Sequence, residues 1–283
     1  MTINTIEKRK CSNLEELEIG LLLEGIYRYY GHDFRDYSIF TIRRRVLNRL
    51  KLEKMATITA LLDRILHDPK MMEKVFYDFS INVTEMFRDP SFFKAFREKV
   101  IPNIKNCSKI RIWHAGCSTG EEVYSMAILL HEAGLLSKSR IYATDINEKV
   151  LETAKVGIFP ITKYKVYSQN YVQAGGSLDF DDYLSITKDY AYFKPFLSEK
   201  MFFTQHNLVT DHSFNEFHIV ICRNVLIYFN AKLQKRVKNL FYDSLGDNGY
   251  LVLGKRDGTT AMLHSIQFSM IDQKEKIYQK AKV

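Results

Sequence analysis

The residues Ile112 to Ser125, IWHAGCSTGEEVYS, carry the strongest suggestion of chemistry in the chain. An apolar run (Ile110, Ile112, Trp113) ends in Ala115-Gly116-Cys117-Ser118-Thr119-Gly120, and Glu121 and Glu122 open a helical pattern behind it. A helix N-terminus carries about half a positive charge and free N–H groups, and ordinarily suits phosphate. Two glutamates there repel phosphate and instead favour an ammonium, a sulfonium or ribose hydroxyls. The loop is neither the dinucleotide G-x-G-x-x-G nor a Walker A, which needs Gly-Lys-Ser/Thr. Taken by itself it is also compatible with an ordinary tight strand-to-helix turn.

Asp145, in Ile141-Tyr142-Ala143-Thr144-Asp145-Ile146-Asn147, ends a second apolar run some twenty-odd residues further on. An acid at that spacing is placed to accept hydrogen bonds from ribose, although an isolated Asp there more often caps a helix. With the loop, it points to S-adenosylmethionine, which has an ammonium, a sulfonium and a ribose but no phosphate. A third apolar run, Phe217–Cys222, meets Arg223-Asn224 and then Val225-Leu226-Ile227-Tyr228-Phe229. Ligands of open α/β sheets bind at carboxyl ends of strands, so this exit is expected to line the same site. Spacing gives no motif to Asn82-Val83-Thr84-Glu85-Met86-Phe87-Arg88. Arg43, Arg44, Arg45 and Arg49 form a basic run that is either a solvated helix face or a docking surface for an acidic partner.

The elements that must position these residues follow from periodicity. Residues 13 to 100 read as helical, with Leu14, Leu17, Leu21, Leu22 and Ile26 at helical spacing and breaks at Asp68-Pro69 and Asp89-Pro90. From Ile110 the texture alternates. Strands are expected at 110–115, 140–145, 201–205, 217–222 and 250–253, and helices at 121–133, 147–155 and 231–245. Residues 265–270 and 276–280 read as a closing antiparallel pair. The alternation predicts an α/β fold with a parallel sheet covered on both faces. Gly157 to Lys200, rich in tyrosine and less regular, reads as an insertion.

The bulk numbers narrow the classes. The chain has 283 residues, 46% hydrophobic and 26% charged, with a formal net charge of +8. It shows no apolar run of about 18 residues that would span a membrane and no secretory h-region, so a cytoplasmic location is expected. Cys11, Cys107, Cys117 and Cys222 lack CxxC or zinc spacing, which leaves free thiols and no metal expected.

Five segments together resemble the CheR-type chemotaxis protein-glutamate O-methyltransferases over nearly the whole length: NVTEMFRD (82–89), WHAGCSTGEEVYS (113–125), ATDIN (143–147), QHNL (205–208) and ICRNVLIYF (221–229). The resemblance implies a helical N-terminal domain (1–85) for substrate docking and an S-adenosylmethionine-binding Rossmann-like domain (86–283). The latter would have a mostly parallel sheet with an antiparallel C-terminal strand and a β-subdomain inserted near 157–200. It implies that Asn82, Thr84, Arg88, Gly116, Glu121, Asp145, Asn207, Leu208, Arg223 and Asn224 hold the cofactor. Tyr228 would stand near the transferred methyl, with Arg88 beside cofactor carboxylate or substrate. Arg43, Arg44, Arg45 and Arg49 would dock on the cytoplasmic helices of methyl-accepting chemoreceptors, at membrane-bound arrays though not inserted, with the enzyme a monomer. S-adenosylhomocysteine would be the product. Two departures stand out: Val123 replaces a usual proline, and Lys255-Arg256-Asp257 follows Leu253-Gly254 where the family commonly has His-Ser-Glu.

The rivals are a methyltransferase of another protein or of nucleic acid, and a non-catalytic receptor-binding module. Amino-methylating DNA enzymes need an Asn/Asp-Pro-Pro-Tyr/Phe strand end, and cytosine-C5 enzymes need a Pro-Cys nucleophile. The chain has neither, and its tyrosines form no stacking platform, so no nucleic-acid partner is expected. Intact Glu121, Asp145 and Asn207 speak against the non-catalytic module.

Overall fold

The computed structural model describes residues 3–80, 82–257 and 268–282, the side chains of residues 3–12 excepted. The chain forms two compact units, Met1–Ile81 with Tyr228–Gln234, and Asn82–Ile227 with Lys235–Val283.

The first unit contains α1 (Ile3–Tyr30), α2 (Ile39–Glu53), α3 (Ile58–His67) and α4 (Pro69–Ser80). Its core takes Ile19, Leu22, Leu23 and Ile26 from α1, Ile42, Val46 and Leu50 from α2, Ile58, Leu61 and Ile65 from α3, and Met71, Met72, Val75 and Phe79 from α4. Thr57 caps α3, its side chain accepting from Ala60 N at 3.1 Å. The apolar positions of α1 split between two faces: Leu22 and Ile26 are buried, whereas Leu14, Leu17 and Leu21 are exposed. The returning segment joins this unit through Ser38 N, which donates to Tyr228 O at 2.7 Å, and through Phe229, whose ring meets Tyr37 edge-on at 5.0 Å.

The second unit begins at Asn82, and Glu85, Met86 and Phe87 are hydrogen-bonded within it. In chain order it carries α5 (Pro90–Lys99), α6 (Ile101–Ile104), β1 (Ile110–Ala115), α7 (Glu121–Glu132), β2 (Ser139–Asp145) and α8 (Glu148–Val156). The insertion follows with β3 (Ile158–Pro160), α9 (Tyr164–Gln173), β4 (Leu184–Ile186) and β5 (Tyr190–Phe193). Then come β6 (Met201–Gln205), β7 (Phe217–Cys222), α10 (Ala231–Ser244), β8 (Leu245–Leu253), β9 (Phe268–Asp272) and β10 (Ile277–Lys280). The main sheet runs β6-β2-β1-β7-β8-β10-β9, parallel from β6 to β8 and antiparallel over the last two strands. This is the Rossmann-like methyltransferase fold. β1 and β7 are almost wholly buried, as strands of a parallel sheet covered on both faces must be. The strand order reverses at β1, with β2 on one side and β7 on the other, and a crevice at such a switch point is where ligands sit.

The insertion forms a three-stranded antiparallel sheet ordered β3-β5-β4. It also holds α9, which its irregular composition concealed. Tyr167 and Tyr171, one helical turn apart, are buried in the main core, so these tyrosines pack as hydrophobic residues. Tyr124 of α7 stacks on Phe193 of the insertion at 4.1 Å.

Candidate active site

β1 ends where the backbone must turn back on itself. Gly116 (φ 79°) and Gly120 (φ 92°) take left-handed conformations, as does Ser118 (φ 51°). A Cβ on Gly116 would lie 2.5 Å from Val225 Cγ2, so the glycine is what lets the β7 exit close against this loop. Gly116 N and Cys117 N both donate to Thr144 O, at 2.8 and 2.9 Å.

Asp145, 7% exposed, accepts from Ser118 N at 2.9 Å and from Asn147 N at 3.0 Å. Burial raises its pKa above the usual aspartate value, while the N–H groups of Asn147, Ser118 and Ile146 pull it back. Each carboxylate oxygen still has a lone pair to offer. The Ser118 hydroxyl is buried too and makes no hydrogen bond among the described residues. His206 N donates to Asp145 O at 3.1 Å, which brings the β6 exit alongside. There Asn207 accepts from Val209 N at 2.9 Å through its side-chain oxygen, leaving its amide hydrogens as donors, and Leu208 is buried.

The two glutamates of α7 part company. Glu121, 5% exposed, accepts from the Thr119 hydroxyl at 2.6 Å and the Tyr167 hydroxyl at 3.2 Å, and Lys163 Nζ is 3.8 Å away. Burial, then the charge of Glu121, push the Tyr167 phenol up. Glu122 is turned to Arg223 (2.8 Å) and His114 (3.2 Å). Burial pulls its pKa up, but the hydrogen bond from His114 and the charge of Arg223 outweigh that and hold it low. Only Glu121 therefore remains for a cationic ligand, where the sequence offered both.

Arg223, expected beside the cofactor, is held by groups of the chain itself. Its side chain is 1% exposed, lies 4.3 Å over the Phe92 ring, and donates to Glu122, to Asp89 (2.7 Å) and to Arg88 O (3.2 Å). All three acceptors of this guanidinium are internal, and two of them are carboxylates. Asn224 is likewise a backbone feature. It is left-handed (φ 61°) and gives its N–H to Asp257 at 2.6 Å. Asp257, fully buried, accepts from Gly254 N (2.7 Å) and Ile227 N (3.1 Å) as well. One carboxylate thus binds the exits of β7 and β8 together. Burial raises its pKa, and those N–H groups and Arg223 oppose the rise.

The segment 82–89 is fastened at several points. Phe87 N donates to Ser125 Oγ at 2.8 Å, Asn170 donates to Met86 O at 3.0 Å, and Arg223 holds Arg88 O and Asp89. Phe87 and Asp89 both have positive φ, a strained backbone that such contacts must sustain. Asn82 and Thr84 are half-buried within it, and the Arg88 guanidinium makes one long hydrogen bond, 3.4 Å to Val83 O.

Tyr228 lies outside this unit. It ends a single turn, Leu226–Tyr228, is half-buried, and belongs to the first unit. Of the basic run in α2, Arg49 has a side chain 13% exposed and paired with Asp78 (2.8 Å) and Glu53 (3.1 Å), which leaves it the least available of the four to an outside partner. Arg43 pairs with Glu15. Arg44 is exposed and Arg45 half-buried, and neither makes an ion pair among the described residues.

The donor and acceptor set fits S-adenosylmethionine. It offers a buried acid with free lone pairs at the end of β2, a serine hydroxyl in the loop without a partner among the described residues, and a glutamate at the N-terminus of α7 whose cationic neighbour, Lys163, stands at 3.8 Å. Sequence reasoning missed Tyr167, Asn170, Ser125 and Asp257, since each acts on a partner remote in sequence and no local pattern announces it.

Comparison with known proteins agrees with this geometry. Residues 82–277 match the family described as CheR methyltransferase, SAM binding domain, and residues 17–80 match CheR methyltransferase, all-alpha domain. The chain is 44% identical over 266 residues to the putative methyltransferase Cher3 of Pseudomonas putida, covering 94% of this chain and 97% of that one. It is 28% identical to the chemotaxis protein methyltransferase of Listeria innocua, covering 81% and 85%. It is also 32% identical to an uncharacterized 104.1 kDa protein of Rhodobacter capsulatus, covering 92% of this chain but 27% of that protein.

Proposed function

The chain belongs to the CheR family of S-adenosylmethionine-dependent methyltransferases, and on that premise we propose that it esterifies glutamate side chains of a chemoreceptor-like signalling protein. The products would be glutamyl methyl esters and S-adenosylhomocysteine. Relatives named chemotaxis protein methyltransferase support the pathway.

S-adenosylmethionine supplies, when bound, a methyl group on a sulfonium, open to in-line displacement. Asp145 would accept the ribose hydroxyls, Glu121 would face the cationic end, and the Asn207 amide would donate near the base. Gly116, Thr84, Asn82 and Leu208 would form the walls. Arg223 and Asn224 would act from behind by fixing the strand exits. The acceptor needs no general base, because a glutamate with a pKa of about 4.3 is already ionised at neutral pH. The chain's contribution is then mostly proximity and alignment. Tyr228, covalently next to the anchored Ile227, would orient the attacking oxygen, and Arg88 would hold a carboxylate of the cofactor. Arg43, Arg44 and Arg45 would dock the receptor's cytoplasmic helices. Among the described residues no helix is long and apolar enough to cross a membrane.

The observation that carries this reading is Glu121 buried at the N-terminus of α7, held by hydroxyls and clear of the Arg223 pair that takes Glu122, while Asp145 grips the glycine loop. Its test is transfer of labelled methyl to receptor cytoplasmic fragments, with RNA and DNA as alternative acceptors. Base-labile label on the receptor is expected. Label on nucleic acid, or base-stable label, would replace the glutamyl reading. Absence of cofactor binding by calorimetry would leave a non-catalytic receptor-binding module.

A further inference from the structure

The exits of β7 and β8 carry cations that the cofactor site leaves unused. Asp257 fixes Gly254 to Asn224 and Ile227, so Lys255 and Arg256 are held at the carboxyl end of the sheet, on the β7–β8 side of the switch point. Arg256 is exposed and makes no hydrogen bond or ion pair among the described residues. Lys255 donates to Ser91 Oγ at 3.0 Å and lies 3.2 Å from Glu275, whose side chain is 4% exposed. Arg88 is brought to the same exit by Arg223, which holds its carbonyl. The nearby acids are already engaged: Asp89 by Arg223, Glu275 by Lys255, and Asp257 by three N–H groups. Among the described residues the rim on this side thus presents Arg256 without an acidic partner, with Lys255 beside it.

Resting on the glutamyl reading of this site, we propose that Arg256 is a specificity residue: it pairs with a second carboxylate of the acceptor segment, about one helical turn from the glutamate that is methylated. A guanidinium fork matches a carboxylate in bidentate fashion. The partner is therefore an acidic polypeptide segment. One guanidinium without a partner among the described residues and one half-engaged lysine suit one or two side-chain carboxylates. They are few against the roughly six to ten phosphate contacts of a nucleic-acid track.

Two helical peptides test this, each with one acceptor glutamate, carrying glutamate or glutamine one turn away. The native enzyme is expected to show a KM about fivefold lower for the glutamate-flanked peptide, a difference that shrinks with salt. Arg256→Ala should bring the two KM values together, Arg256→Glu should invert their order, and both variants should bind S-adenosylmethionine as the native chain does, which also reports folding. An Arg256→Ala enzyme that keeps the full preference, or a native enzyme without one, overturns the proposal. So does inhibition by a single-stranded oligonucleotide that Arg256→Ala relieves. Methylation of both peptides without discrimination defeats this inference alone. Absence of base-labile methyl on either peptide defeats the glutamyl reading and this inference with it.

Discussion

Asp145 accepts the Ser118 N–H at 2.9 Å, so the acid proposed to receive the ribose is also the fastening of the glycine loop. The two tasks share one ionised carboxylate. Asp145→Asn should therefore weaken S-adenosylmethionine binding by more than a ribose contact, about 2–4 kcal/mol, seen by calorimetry as a 30-fold or greater rise in Kd, roughly.

The same carboxylate gives a pH dependence. Its pKa in the folded chain is raised by burial from 3.8, and the ionised form is the one that accepts hydrogen bonds. Affinity should fall as pH drops through that raised value, beginning at a higher pH than an exposed aspartate would allow. Kd measured from neutral to acid pH checks this, and Asp145→Asn should lose that part of the slope.

Gly116 and Val225 test the closure of the β7 exit on the loop. Gly116→Ala places a methyl 2.5 Å from Val225 Cγ2 at a φ of 79°, and should cost about 1–3 kcal/mol in unfolding free energy. Adding Val225→Ala removes the clash but not the backbone strain, so the double variant should recover part of the loss. Simple additivity in denaturant melts would count against the contact.

Glu122 is a stability group. Its folded pKa lies below the unfolded value near 4.5, so its contribution is fully present above that value and is lost as pH falls through the folded one. Glu122→Gln leaves Arg223 buried with less counter-charge and should destabilise the chain by about 3 kcal/mol at pH 7. The difference between variant and native should shrink in acid, which melts at several pH values would record.

Tyr228→Phe should lower kcat about tenfold or more while leaving the S-adenosylmethionine Kd nearly unchanged. Turnover within about a factor of two of the native rate would remove Tyr228 from the chemistry.

Much of the fold could be read along the chain because its strands are short apolar runs. Ile110–Ala115, Met201–Gln205 and Phe217–Cys222 begin and end where the runs do. Asp145 and the glycine loop were legible for a related reason, since strand exits mark themselves by a sudden change of residue type. What stayed hidden depends on direction around an axis or on distance along the chain. Glu121 and Glu122 are neighbours in sequence but point about 100° apart on the helix, and only the fold shows which one faces Arg223. Arg44 and Arg49 differ in the same way. Tyr167 reaches Glu121 across 46 residues and Asp257 reaches Asn224 across 33. α9 was obscured by tyrosines that read as irregular and pack as core.

The return of Tyr228–Gln234 to the helical unit has a consequence for how the protein is made. The unit's last piece leaves the ribosome after nearly all of the parallel sheet, and until then Ser38 lacks its acceptor and Tyr37 its ring partner Phe229. A fragment cut at Ile81 should accordingly be less stable than the same helices in the whole chain. The helical unit is thus completed only once the chain has passed through the sheet.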